Sequence, residues 1–307
     1  MQIVYGINNI RKLKKPVVAM GVFDGVHRGH REILKAAVKK AREIKGTSIV
    51  LTFWPHPQKQ ASLYSLEHRE RLIAELGIDV CIVINFTRHF AKIKAEDFIQ
   101  DILADKIDAA YVYVGKDFRF GAEAKGDFCL LRKIAKAYGF RAQGFNIIKV
   151  KGVAISSTLI RKLIKQGLIK EAERLLARPV SILGTVIRGT KIGRILGFPT
   201  ANINPHHEVI PAEGIYAVRI YLDNHQFKGA CYIGTKPSIS AGEKISVEAH
   251  LFGFHKNIYG KYLEIQFVKK IRPDKKFPSL ALLTKQIKKD VISAKRILAG
   301  QRKYHNR

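Results

Sequence analysis

Two histidines three residues apart, His27 and His30, stand where an apolar run turns into a helix. The stretch is 17–30, VVAMGVFDGVHRGH. At that spacing both rings can lie on one side of a first helical turn. The free N–H groups of a helix start, with the positive end of its dipole, suit an anion. Gly29 between the histidines has no side chain, so a phosphate or an adenine ring could approach the backbone closely. An isolated H-x-G-H equally describes an ordinary turn. A second group of polar residues lies at 154–161, AISSTLIR. Ser156 suits a helix N-cap, and Ser157, Thr158 and Arg161 add hydroxyls and a guanidinium that can bond a polyphosphate.

A third group lies far downstream, in GTVIRGTKIGRILGFPTAN at 184–202. Gly189, Gly193 and Gly197 give backbone freedom, and Lys191, with Arg188 and Arg194, supplies charge. Thr200 and Asn202, two apart, can both present oxygen to a magnesium ion. Taken alone, the glycines fit a basic loop between strands, and Glu248 fits a surface carboxylate on a strand.

The elements that must position these groups fall into two textures. Up to about residue 178, strands alternate with helices. Strands are predicted at 17–23, 48–54, 79–84, 110–114 and 141–150. Helices are predicted at 28–44, 65–76, 96–107 and 128–138. This alternation predicts a doubly wound parallel sheet, whose ligands bind beyond the carboxyl ends of the strands. The turn at 24–30, the Pro55-His56-Pro57 stop and the loop at 116–121 (KDFRFG) all follow strands, so they are expected to gather at one edge. A helix at 169–177 ends before Arg178-Pro179, the expected domain boundary. Beyond it, short strand-like runs at 180–187, 214–222, 226–233, 246–252 and 262–268 predict a small antiparallel barrel or sandwich. A helix at 279–298 follows, and the tail at 301–307 reads as frayed.

Composition narrows the function classes. The 307 residues are 47 % hydrophobic, enough for two cores. No apolar run approaches the roughly 20 residues that cross a bilayer, and no signal peptide is visible. The three cysteines are scattered, without a C-x-x-C. They read as buried thiols in a reducing cytoplasm rather than a disulfide or zinc framework. The net charge of +30 favours anionic partners. Both halves share the excess and no RNA-binding signature accompanies it, so it reads as a lysine-rich solvated surface rather than a nucleic-acid site.

With these strings in view, the chain resembles the bacterial bifunctional riboflavin kinase/FAD synthetase family over nearly its whole length. The strings are FDGVHRGH, PHP, GKDFRFG, ISSTLIR, GRILGFPTAN, GIYAV, VEAHLFGF, IYGK and RPDKKF. The resemblance implies a nucleotidyltransferase domain at 1–178 and a riboflavin kinase domain at 179–307, the latter a six-stranded antiparallel barrel with a terminal helix. It implies that ATP phosphorylates riboflavin to FMN, and that a second ATP adenylylates FMN to FAD. His27, His30 and Arg161 would be catalytic in adenylylation, with Phe23, Asp24, Gly25, Gly29, Ser156, Ser157 and Thr158 binding ATP. Pro55, His56 and Asp117 would lie near the flavin. In the kinase domain Gly189, Lys191, Gly193, Gly197, Pro199, Thr200 and Asn202 would bind ATP, Thr200 and Asn202 holding Mg²⁺. Glu248 would be the general base, and Arg272 and Phe277 would line the flavin pocket. Lys116, Lys236 and Asn257 stand where the family's strings carry other residues. The alternatives are a single-activity nucleotidylyltransferase with another phosphate acceptor, which leaves the PTAN string and Glu248 without a task, and a basic RNA-binding regulatory protein.

Overall fold

The computed structural model describes residues 1–57, 61–190, 192–206, 208–223, 225–236 and 244–300. Lys191, residues 237–239 and the tail at 301–307 lie outside the described residues. By packing, the chain forms two units. One comprises Met1–Ser62 and Leu66–Ser157; the other comprises Leu63–Ser65 and the chain from Thr158 on. The packing division thus falls after the first residue of the first of two helices, Ser157–Lys165 and Ile169–Leu176, that the sequence groups with the first domain.

The first unit is built on a parallel six-stranded sheet. Its strands are β1 (Gln2–Tyr5), β2 (Pro16–Met20), β3 (Thr47–Trp54), β4 (Val80–Asn85), β5 (Tyr111–Gly115) and β6 (Arg141–Phe145). Their order is β1-β4-β3-β2-β5-β6. All five residues of β2 are buried, as a strand covered on both faces must be. α1 (Arg28–Glu43) lays Ile33, Leu34, Ala37, Val38 and Ala41 inward. α2 is Leu66–Ala74 and α4 is Phe128–Ala137; between them α3 (Ala95–Asp97) runs on as a π-helical stretch, Phe98–Lys106. A short hairpin, β7 (Lys149–Val150) and β8 (Val153–Ala154), ends the unit. From β2 the chain winds outward through β3 and β4, then crosses back to place β5 on the other side of β2. The end of β2 is therefore the switch point, where such sheets bind ligands.

One sequence expectation is corrected here. The apolar run at 17–23 is not all strand: β2 ends at Met20. Phe23 has φ +51° and Val26 φ +39°, which an extended strand cannot contain. Val22 and Phe23 are apolar because the turn itself packs inward. β1 has no counterpart among the predicted strands.

The second unit carries α5 (Ser157–Lys165) from its second residue onward, then α6 (Ile169–Leu176). A closed antiparallel barrel follows, ordered β10-β13-β12-β11-β14-β9. Its strands are β9 (Val180–Ile187), β10 (Ala201–Asn204), β11 (Gly214–Leu222), β12 (His225–Lys236), β13 (Lys244–Leu251) and β14 (Tyr262–Arg272). A one-turn helix, α7 (Ile192–Ile195), lies between β9 and β10. α8 (Leu280–Ala299) lies outside the barrel, where Ala294 and Leu298 pack on Ala217 and Val268. The sequence reads five of the six strands; the sixth, β10, starts on the last two residues of the PTAN string and runs two residues beyond it.

Candidate functional sites

In the first unit the site is the turn that leaves β2. The Val22 carbonyl accepts Thr52 Oγ1–H at 2.9 Å and Arg69 Nη1–H at 2.6 Å. Arg69 is almost wholly buried and also donates from Nη2 to the Phe53 carbonyl at 3.3 Å. One guanidinium thus ties the ends of β2 and β3 together, and burial lowers its pKa from the ordinary arginine value. Gly25 follows at φ +81°, a conformation that favours glycine. His27 is the N-cap of α1, and its Nδ1 accepts the His30 backbone N–H at 3.3 Å. With Nδ1 accepting, the neutral ring carries its proton on Nε2, a donor for an oxyanion. The His27 and His30 rings stack, centroids 3.5 Å apart and planes 18° off parallel. Phe23 presses edge-on against His30 at 5.3 Å. A Cβ on Gly29 would lie 3.3 Å from His27 Cε1, so the bare glycine gives room to that ring.

Ser157 Oγ donates to the Asp24 carbonyl at 2.8 Å, joining the ISST string to the FDG turn. Asp24 is buried and Ser156 exposed. Pro55 and His56 follow the end of β3, through a cis Trp54–Pro55 bond. Asp117 follows the end of β5 and is exposed. These residues therefore sit at the carboxyl ends of the strands flanking β2, as predicted. Thr158 is exposed and Arg161 buried on α5, both counted with the second unit. At one departing position, Lys116 donates its backbone N–H to the Phe145 carbonyl. At another, Asn257 Oδ1 accepts the Tyr259 N–H at 3.1 Å, closing a turn.

The second unit holds a cavity of about 810 Å³ on the outer face of its barrel. β13 shows why its polar residues face that way. Val247, Ala249 and Leu251 are buried in the barrel, so the alternating Ser246, Glu248 and His250 point outward. β10 pairs with β13 in the register Ala201↔Ala249 and Asn202↔Glu248. Ala201 and Ile203 are buried, which leaves Asn202 on the outer side with Glu248. Thr200 Oγ1–H donates to Glu248 Oε2 at 3.0 Å, and Ser246 Oγ–H donates to Glu248 Oε1 at 3.3 Å.

Two glycines of the basic loop are explained by contact. A Cβ on Gly189 would fall 2.1 Å from Asn202 Nδ2, and one on Gly193 2.5 Å from the Phe198 carbonyl oxygen. Gly197 has φ +82°. The loop can lie on the PTAN segment only without those side chains. Thr200, Gly193, Glu248, Arg272 and Phe277 all line the cavity. Arg272 is held by Asp290 of α8, through Nε at 3.1 Å and Nη2 at 2.8 Å. Its guanidinium lies 5.6 Å over the Phe277 ring. Leu283, Ile287 and Val291 of α8 complete an apolar wall. The result is a largely apolar cavity with polar oxygens of Thr200 and Glu248 in its lining.

Among the described residues no cluster of three or more His, Cys, Asp or Glu side chains could hold a metal ion. The donor set still fits a magnesium ion arriving on nucleotide phosphates. Thr200 spends its proton on Glu248 and keeps its lone pairs, and Asn202 adds a second hard oxygen two residues on. Three further residues are given no role by the motif reading: Arg69, Asp290 and His250. His250 stands two residues after Glu248, so strand periodicity places it on the same face. No spacing rule points to the other two.

Two nucleotide-handling folds, each with its own polar cluster, define a two-domain transferase. A family model described as FAD synthetase matches residues 9–159, and one described as riboflavin kinase matches residues 176–298. The bifunctional riboflavin kinase/FMN adenylyltransferase of Escherichia coli K12 is 36% identical over 305 residues, covering 96% of this chain and 97% of that protein. The protein of the same name from Haemophilus influenzae is 37% identical over 304 residues, covering 96% and 98%. A solved structure titled as a macrolide-efflux protein from Streptococcus pneumoniae matches with a TM-score of 0.84 at 27% identity, covering 98% of this chain and all of that one. The chain belongs to the bifunctional riboflavin kinase/FMN adenylyltransferase family. No helix among the described residues is long and apolar enough to cross a membrane.

Proposed function

We propose that this chain phosphorylates riboflavin with ATP to FMN and then adenylylates FMN with a second ATP, giving FAD and pyrophosphate. The observation that carries the reading is the Thr200–Glu248 hydrogen bond beside an apolar cavity. A candidate metal ligand and a candidate proton acceptor are thereby brought to one spot. In the kinase half, the riboflavin 5′-hydroxyl attacks the γ-phosphorus of ATP while Glu248 takes its proton. ADP leaves. Thr200 and Asn202 hold Mg²⁺, which supplies neutralisation of phosphate charge when bound. Gly189, Gly193, Gly197 and Pro199 shape the nucleotide site, with Lys191 adding charge, and Arg272 and Phe277 wall the flavin slot.

In the adenylylation half, an FMN phosphate oxygen attacks the α-phosphorus of ATP and pyrophosphate leaves. No side-chain nucleophile is needed. His27 and His30 stabilise the phosphate charge, with Ser156, Ser157, Thr158 and Arg161 contributing donors. Phe23, Asp24, Gly25 and Gly29 form the nucleotide turn, and Pro55, His56 and Asp117 lie on the flavin side. Catalysis is then positioning and charge stabilisation. Adenylylation is assigned to 1–178 and phosphorylation to 179–307, the protein working in the cytoplasm without a nucleic-acid partner. The test is incubation of the whole protein with riboflavin, ATP and Mg²⁺, followed by separation of the flavins. FMN and FAD are both expected; FAD from supplied FMN without any FMN from riboflavin would leave a single-activity nucleotidylyltransferase.

A further inference from the structure

Pro199 creates a mechanical problem next to the metal-binding pair. It has no N–H, so it cannot donate to a ladder. The β10–β13 register begins only at Ala201↔Ala249. Thr200, one step before that pair, would swing with whatever holds the Pro199 carbonyl. His250 holds it: Nδ1 lies 2.8 Å from that oxygen. A carbonyl only accepts, so Nδ1 is the protonated nitrogen. The same ring meets Phe198 edge-on at 5.8 Å and Phe252 at 5.5 Å. Phe198 in turn donates its backbone N–H to the Gly193 carbonyl at 2.7 Å. One imidazole therefore extends the ladder past Ala201 and braces the glycine loop as well. Together with the Thr200 bond to Glu248, β13 grips the PTAN segment at two successive residues from two alternating side chains.

We propose that His250 is a positioning residue of the kinase site: its Nδ1–H, bonded to the Pro199 carbonyl, sets where Thr200 and the glycine loop meet the triphosphate of ATP and its divalent cation. This rests on the kinase reading above. It assigns His250 to the nucleotide side of the site and not to the flavin slot, whose wall belongs to α8 and the loop holding Phe277.

The test is steady-state riboflavin phosphorylation by the full chain, varying Mg–ATP at saturating riboflavin and the reverse. His250→Phe keeps a ring between Phe198 and Phe252 but donates nothing. His250→Asn restores an N–H near the place of Nδ1. His250→Phe is expected to raise the KM for Mg–ATP about tenfold, the scale of one lost hydrogen bond, with the KM for riboflavin within twofold of the parent. His250→Asn is expected within threefold of the parent for both. A parent-like thermal melt shows that the barrel is folded in each variant, and unchanged FMN adenylylation shows the same of the sheet unit. Parent-like kinetics for His250→Phe overturn the proposal, as does an equal loss in both variants or a loss carried by riboflavin KM. A parent protein that makes no FMN from riboflavin overturns instead the kinase reading on which it stands.

Discussion

At the scale of single residues, the two clusters make opposite demands. His27 is fixed twice, by its Nδ1 bond to the His30 N–H and by the stacked His30 ring, which suits the rigid donor role proposed for it. Glu248 is fixed by two hydroxyl donors and, in the proposed mechanism, must still accept a proton. Replacing His27 by alanine removes the ring without touching the barrel. FAD formation is expected to fall at least 100-fold, while riboflavin is still converted to FMN. Glu248→Gln keeps the bond from Thr200 but removes the proposed base. FMN formation is expected to fall 10²–10⁴-fold, the usual scale for a lost general base. Supplied FMN should still become FAD. Chromatography of the flavins reads both variants; FMN formed at the parent rate by Glu248→Gln would remove the base assignment.

At the scale of elements, the turn after β2 is pinned by a residue outside every motif, and the PTAN segment by residues of other strings. Arg69 comes from α2, and its guanidinium donates to carbonyls at the ends of β2 and β3. Arg69→Met leaves the Phe53 carbonyl without that donor. A loss of about 1–3 kcal/mol is expected, with weaker FMN adenylylation and intact phosphorylation. A thermal melt and the two assays check it. Gly189→Ala tests the other side: its Cβ would fall 2.1 Å from Asn202 Nδ2. The amide must move, so phosphorylation is expected to drop at least tenfold while adenylylation holds. The long strands and helices were legible because burial imposes its period on them. β10 was not, because four residues, two of them polar and outward-facing, carry too little periodicity and overlap a motif. The left-handed residues after Met20 were hidden for the opposite reason. Val22 and Phe23 pack inward as a strand would, so hydrophobicity alone cannot tell the turn from β2. Glu248 and Thr200 were legible as motif members. Arg69 and Asp290 were not, since a buried ion looks like any surface charge until its partners are placed.

At the scale of the whole molecule, the three cysteines report on both cores at once. Cys81 lies in β4 of the parallel sheet and Cys231 in β12 of the barrel, both wholly buried. Burial pushes the Cys81 thiol up to about 12 and raises that of Cys231 as well. At pH 8 almost none of either is thiolate, and the thiolate is the reactive form. Cys129 of α4 is exposed. A chromogenic disulfide reagent at pH 8 is therefore expected to titrate one thiol in the native protein and three in denaturant. Because each core holds one silent thiol, the second and third equivalents mark the opening of separate units. If the sheet unit and the barrel unit melt apart on heating, these equivalents appear in two steps, and mass spectrometry of the labelled peptides assigns each step to Cys81 or Cys231. Two fast equivalents in the native protein would show that one of these cores is open in solution.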